Sequence, residues 1–111
     1  NVVGEMELAS AFYAADHLHT PLLVVMGHTH CGAIEAAQRD VPAGIMEPLI
    51  RQVSTAIGGE SDPYAASVLN VRSAVAKLTA SQPITALCAQ GKLRIMGAIY
   101  HTHAGEVDFL E

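Results

Sequence analysis

The chain has 111 residues, half of them hydrophobic, with a net charge of −5 and no cluster of Lys and Arg. That supplies one modest core, and an acidic chain without a basic stripe gives a phosphate backbone no electrostatic footprint, so no nucleic-acid partner is expected. No apolar run approaches the roughly 20 residues that span a bilayer, so no membrane span is expected either.

The chain opens on Asn1 rather than methionine, from which we expect further sequence upstream. Asn1 to Glu7 has no basic stretch followed by an apolar one, so it does not read as a signal peptide. Glu5 to Leu18 reads as a helix: Met6, Ala9, Phe12, Ala15 and Leu18 recur at three-residue steps, and Glu5 and Glu7 suit the first turn. Pro21 ends it, since proline has no N–H and biases its predecessor away from helix. Leu22 to Met26 is an unbroken apolar run, the pattern of a strand covered on both faces, as in a parallel sheet. Gly27 to Gly32 makes a turn, and Ala33 to Arg39 a second helix. Helix, buried strand, turn and helix in that order is the grammar of an α/β fold.

Asp40 to Gly44 is a loop. Ile45 to Ile57 reads as a helix with Ile45, Leu49, Val53 and Ile57 at four-residue steps. After the break at Gly58 to Pro63, Tyr64 to Ala80 carries a buried stripe of Val68, Val71, Val75 and Leu78. Ser81-Gln82-Pro83 starts a short helix that runs to Gln90 and is capped by Gly91. Leu93 to Tyr100 and Glu106 to Leu110 read as two strands joined in a hairpin, with Gly105 at a positive φ. There is no internal repeat and no linker, so residues 1–111 are read as one domain.

The chemistry concentrates in Val24-Val25-Met26-Gly27-His28-Thr29-His30-Cys31-Gly32-Ala33-Ile34. Imidazole and thiolate both ligate zinc, which takes them in tetrahedral geometry. His28 at a strand end and Cys31 at a helix start would face one crevice at the carboxyl edge of the sheet, where ligand sites of open α/β sheets lie. The positive end of the following helix favours an anionic ligand such as a thiolate. Gly27 and Gly32 permit a tight turn. His30, between the two, should face elsewhere. His101 and His103 fall in a solvated loop, and His17 and His19 at a helix C-terminus, where the dipole favours positive charge. Cys88 reads as a core residue, and Arg94 could pair with Asp108 across the last strands. With only two cysteines, a Cys31–Cys88 disulfide is open on sequence alone, but the usage fits a reducing compartment, the cytoplasm.

Val25 to Ala33 resembles the Gly-His-x-x-Cys-Gly signature of β-class carbonic anhydrases, preceded by an apolar strand and followed by a helix as in that family. Leu18-His19-Thr20-Pro21-Leu22, Asn70-Val71-Arg72, Gly91 to Tyr100 and Thr102 to Val107 are similar to further parts of the family's pattern, so the resemblance runs nearly end to end.

The resemblance implies a mostly parallel sheet flanked by helices, with a C-terminal antiparallel strand. It also implies a Zn2+ cofactor held by His28 and Cys31, reversible hydration of carbon dioxide to bicarbonate, and a dimer or larger homo-oligomer. Gly32 would help shape the pocket beside the metal. The family's further zinc-binding cysteine, and the Asp/Arg pair that orients the water, belong to a Cys-x-Asp-Ser-Arg motif that does not occur in these 111 residues. The domain therefore reads as N-terminally truncated, and an edge of the Leu22 to Met26 strand as unpaired. Two other readings share this scaffold: an inactive binding or scaffold module, and a hydrolase of carbonyl sulfide or carbon disulfide, both linear like carbon dioxide.

Overall fold

The computed structural model describes residues 1–111. Its elements are α1 (Glu5–Asp16), β1 (Leu22–His28), α2 (Gly32–Arg39), a 3-10 turn (Gly44–Met46), α3 (Glu47–Ile57), α4 (Pro63–Ala80), α5 (Gln82–Ala89), β2 (Arg94–His101) and β3 (Glu106–Leu110). Every element expected from sequence is present, with ends moved by a few residues. Asp62 starts α4 by accepting from the Ala65 N–H at 2.8 Å, ahead of Pro63, whose missing N–H costs nothing in a first turn.

The sheet has the order β1-β2-β3. β1 and β2 run parallel, from Leu22 opposite Arg94 to His28 opposite Tyr100. β3 returns antiparallel to β2, with Gly97 opposite Leu110 and His101 opposite Glu106. Gly105 turns this hairpin at φ 73°, as its sequence position requires. The sheet is thus mixed, one parallel pair and one antiparallel, with the C-terminal strand antiparallel as expected. β1 lies at the end of the sheet, so its outer edge has no strand partner.

One core cluster joins the sheet to α4 and α5 through Val25, Val71, Leu78, Ile84, Leu87 and Ile99; a second joins α2, α3 and α4 through Ile34, Ile50, Val53, Ile57 and Ala66. Three apolar stripes differ from expectation. In α1 only Ala15 is buried, with Leu8, Ala11 and Phe12 packed beside it, while Met6 and Leu18 are exposed. Residues advance about 100° each around a helix, so repeated three-residue steps slip by about 60° and cannot hold one face. In α3 the buried residues are Ile50, Val53 and Ile57; Ile45 falls in the 3-10 turn, outside the helix, and is exposed. β1 is not covered on both faces: Val25 and Gly27 are buried against α4, while Leu22 and Met26 are exposed on the other side.

Gly27 also has a different purpose from the one its motif suggests. It sits within β1, and a methyl there would lie 2.7 Å from Val71 Cγ2 and 3.2 Å from Ile99 Cδ1. A methyl on Gly97 of β2 would meet Val71 Cγ1, also at 2.7 Å. The fully buried Val71 thus nests between two glycines on neighbouring strands, and their lack of side chains sets how closely α4 approaches the sheet. Next to it, Asn70 donates to the Asn1 carbonyl at 3.4 Å, which ties the start of the chain to α4. Gly27→Ala should therefore destabilise the fold by about 1–3 kcal/mol through overpacking. Adding Val71→Ala should recover part of that loss, because contacting sites are not additive. Urea unfolding of both variants checks it, and additive losses would contradict the nesting.

Candidate metal site

His28 ends β1, and the chain turns through Thr29 and His30 to Cys31, the N-cap of α2. The turn is tight because His30 adopts φ 55°, a left-handed conformation that a residue with a Cβ takes at a cost. Serine, threonine or aspartate at an N-cap would spend its side chain on the helix; Cys31 makes no capping hydrogen bond, so its sulfur stays uncommitted. Both cysteines are free thiols, and the disulfide left open by the sequence does not form. Cys88 packs against the apolar core, as expected.

The His28 ring is committed at one nitrogen only. Nδ1 lies 2.8 Å from the Thr29 carbonyl oxygen, and a carbonyl can only accept, so Nδ1 carries the proton. Nε2 is then the nitrogen with a free lone pair, the state a neutral imidazole needs to ligate a metal. The donor types and the tautomer of His28 fit zinc. No group of three His, Cys, Asp or Glu side chains in the chain is arranged to hold a metal ion.

A cavity of about 330 Å³ opens beside the turn, lined by Thr29, His30 and Cys31, by Ile34 and Glu35 of α2, and by the start of α4 from Asp62 to Tyr64 with Ser67. Cys31 lines it; His28, exposed at the end of β1, does not. Gly32 is not among the lining residues, and a methyl on it would meet nothing within 4 Å, so the pocket-shaping role implied for it finds no contact here.

The β2–β3 hairpin reaches over this turn. Thr29 N–H donates to the Tyr100 carbonyl at 3.0 Å, extending the parallel ladder by one residue. Thr29 Oγ1 accepts from the Thr102 N–H at 3.0 Å and lies 3.1 Å from Thr102 Oγ1. The His30 and His103 rings stack with centroids 4.3 Å apart. Thr102 and His103 are therefore engaged with the motif, on a stretch that is exposed as the sequence suggested.

Asp108 corrects another expectation. It accepts from His101 Nε2 at 2.7 Å and from Tyr64 OH at 3.1 Å, and the Tyr64 ring stacks on His101. Arg94 takes no part. Asp108 pairs with Ile99, which places Arg94 about 17 Å along β2 at about 3.4 Å per residue, and with its side chain on the opposite face. The hydrogen bond from His101, then that from Tyr64, holds the Asp108 carboxyl below its usual range. Partial burial, then the Asp108 bond and charge, pushes the Tyr64 hydroxyl up.

A carboxylate depressed on folding adds stability above its unfolded pKa, and that contribution disappears as pH falls through the folded value. Asp108→Asn should therefore be less stable than the parent at neutral pH, and the difference should shrink once pH drops below about 4. Urea midpoints across that range check it; a gap that persists in acid would detach Asp108 from the effect. Within this network the pairing of Tyr64 with Asp108 had no sequence signal, the two being 44 positions apart and in different elements.

A family model described as carbonic anhydrase matches residues 1–107. A carbonic anhydrase of Mycolicibacterium smegmatis is 31% identical over 97% of the chain, and carbonic anhydrase 2 of Mycobacterium tuberculosis is 31% identical over 95%. The chain spans 58% and 56% of those two relatives. Among solved structures, the Coccomyxa β-carbonic anhydrase in complex with acetazolamide aligns over 98% of the chain and 56% of its own, at 28% identity and TM-score 0.79. One of two tetrameric β-carbonic anhydrases of Sordaria macrospora aligns with TM-score 0.81 over 98% of the chain and 63% of its own; at 19% identity it speaks for the fold alone.

Proposed function

The chain belongs to the β-class carbonic anhydrase family, and from that premise we propose that it is part of a zinc-dependent enzyme that hydrates carbon dioxide reversibly to bicarbonate. The observation that carries the metal half of this reading is the His28–Thr29 hydrogen bond, which leaves Nε2 free within three residues of the uncommitted sulfur of Cys31.

His28 and Cys31 are the zinc ligands in this reading, with residues 1–111 forming one partial domain. Zinc in such a site supplies a water acidic enough to act as a nucleophile near neutral pH. The chain's own part is to hold two donors, one at the carboxyl edge of β1 and one at the start of α2. Carbon dioxide is small, apolar and linear, so its access needs an apolar wall more than polar recognition; Ile34 offers one beside Cys31.

The same reading makes the working form a homo-oligomer. Leu22, Met26, Tyr100, Val107 and Phe109 are exposed on the sheet face away from α4, Phe109 at 59%, and the outer edge of β1 is unpaired. Such a face and edge favour burial against another chain. No helix is long and apolar enough to cross a membrane; two free cysteines fit a reducing compartment, which supports the cytoplasm as the location in this reading. Zinc-dependent hydration of carbon dioxide, followed by stopped flow, is the test.

A further inference from the structure

The β2–β3 hairpin contacts the turn after His28 through the side chains of Thr29 and His30. The carbonyl that fixes the His28 tautomer belongs to Thr29. Its direction depends on the Thr29 backbone and on the left-handed φ of His30. Each of these two residues is held by a different residue of the hairpin: Thr29 Oγ1 by the backbone and hydroxyl of Thr102, and the His30 ring by the stacked ring of His103.

We propose that the hairpin positions His28 at second hand: Thr102, through Thr29, fixes the carbonyl that holds the His28 imidazole with Nε2 unprotonated and free. Thr29 and Thr102 are positioning residues here; neither is assigned to the metal. The proposal rests on the reading of His28 as a zinc ligand for its consequence, but not for its geometry.

The physical case is one of restraint. A free imidazole populates both tautomers, and only the form with a proton on Nδ1 offers Nε2 to a metal. A backbone carbonyl selects that form only while it stays put. Left to itself, the turn would relax at His30, because a left-handed conformation at a residue with a Cβ stores of order 1–2 kcal/mol. Three hydrogen bonds at Thr29, one from its N–H to the Tyr100 carbonyl and two at its hydroxyl, and a ring contact at His30 oppose that relaxation. Partners that orient a metal ligand in this way are typically worth about 10–100-fold in metal affinity.

The test compares Thr29→Val, which keeps shape but loses both contacts to Thr102, with Thr29→Ser, which keeps the hydroxyl. Ring nitrogen shifts of His28 in the metal-free 111-residue chain, at a pH where the ring is neutral, report the tautomer directly. Zinc added to the same samples reports affinity. The parent and Thr29→Ser should show a single His28 tautomer with the proton on Nδ1. Thr29→Val should show a mixture and bind zinc at least about tenfold more weakly. An unchanged tautomer in a folded Thr29→Val chain overturns the proposal. Should that variant fail to fold, Thr102→Val, at an exposed position, removes only the hydroxyl contact and should shift the tautomer part of the way; no shift overturns the proposal equally. If zinc moves no His28 resonance even in a chain that also carries the family's Cys-x-Asp-Ser-Arg segment, the zinc reading fails by itself, while the tautomer comparison still decides the role of the hairpin.

Discussion

Cys31→Ala is expected to remove nearly all zinc binding from the protein, while Cys88→Ala leaves it intact. Cys31 carries the only thiol on the motif turn, with its sulfur uncommitted at the N-cap of α2, whereas Cys88 packs among apolar side chains of the core. Loss of a direct ligand should exceed the roughly 10–100-fold loss that follows removal of a residue that merely supports one. Zinc per chain after dialysis, by atomic emission, measures it; a Cys31→Ala protein that keeps its zinc would end the assignment of this residue. Because thiolate and neutral imidazole are the binding forms, zinc uptake by the parent should weaken as the solution is acidified. His28→Ala should match Cys31→Ala in direction, and a different result for the two would mean that they do not share an ion.

The order of elements was legible because local signals marked it. Pro21 marks the break between α1 and β1, although α1 itself already ends at Asp16; the apolar run after it has no alternation to suggest a surface helix, and Gly91 and Gly105 sit where the backbone turns left-handed, at φ 71° and 73°. What failed was the rotation of faces. Periodic spacing in α1 pointed to Met6, Ala9, Phe12, Ala15 and Leu18; Phe12 and Ala15 do rest on the core, but beside Leu8 and Ala11, because the buried side is set by what the helix rests on. Nothing in the local sequence says where α5 will lie. β1 misled in another way: an apolar run reads as buried on both faces, but in this chain the face away from α4 is open. Its composition anticipates a covering that lies outside these residues in the oligomer we propose.

The strand-turn-helix that carries His28 and Cys31 was legible, because a short spacing of that kind is a local pattern. The supporting contacts were not. Thr29 meets Thr102 across 73 positions, and Tyr64 meets Asp108 across 44. Such pairs follow from strand order and register, which a single sequence does not encode at residue level. The parallel pairing of β1 with β2 brings Thr29 opposite the hairpin, and only then does a threonine in each become a clamp. Gly27 shows the same limit: a glycine before a histidine reads as a turn residue, and only the docking of Val71 reveals it as a helix contact.

Carbon dioxide hydration should separate the 111-residue chain from one that also carries the family's Cys-x-Asp-Ser-Arg segment. An open catalytic zinc site needs three protein ligands and one exchangeable position, and in the proposed reading this chain supplies two, His28 and Cys31. Water would fill the remaining positions, lowering metal affinity and leaving no defined site for the nucleophile. The aspartate and arginine that the resemblance places beside the water lie in the same segment, and losing such orienting partners typically costs a further factor of about 10–100. With zinc added, the chain alone should therefore hydrate carbon dioxide slowly or not measurably, and the extended protein should be active by orders of magnitude more. Stopped-flow measurement with a pH indicator decides it, with each protein's bound zinc measured in parallel so that weak loading is not mistaken for weak chemistry. Brisk hydration by the 111 residues alone would require another group to complete the site. His30, between the two ligands and on the cavity wall, would then be the residue to replace next, and its stacking on His103 would have to give way for it to reach the metal.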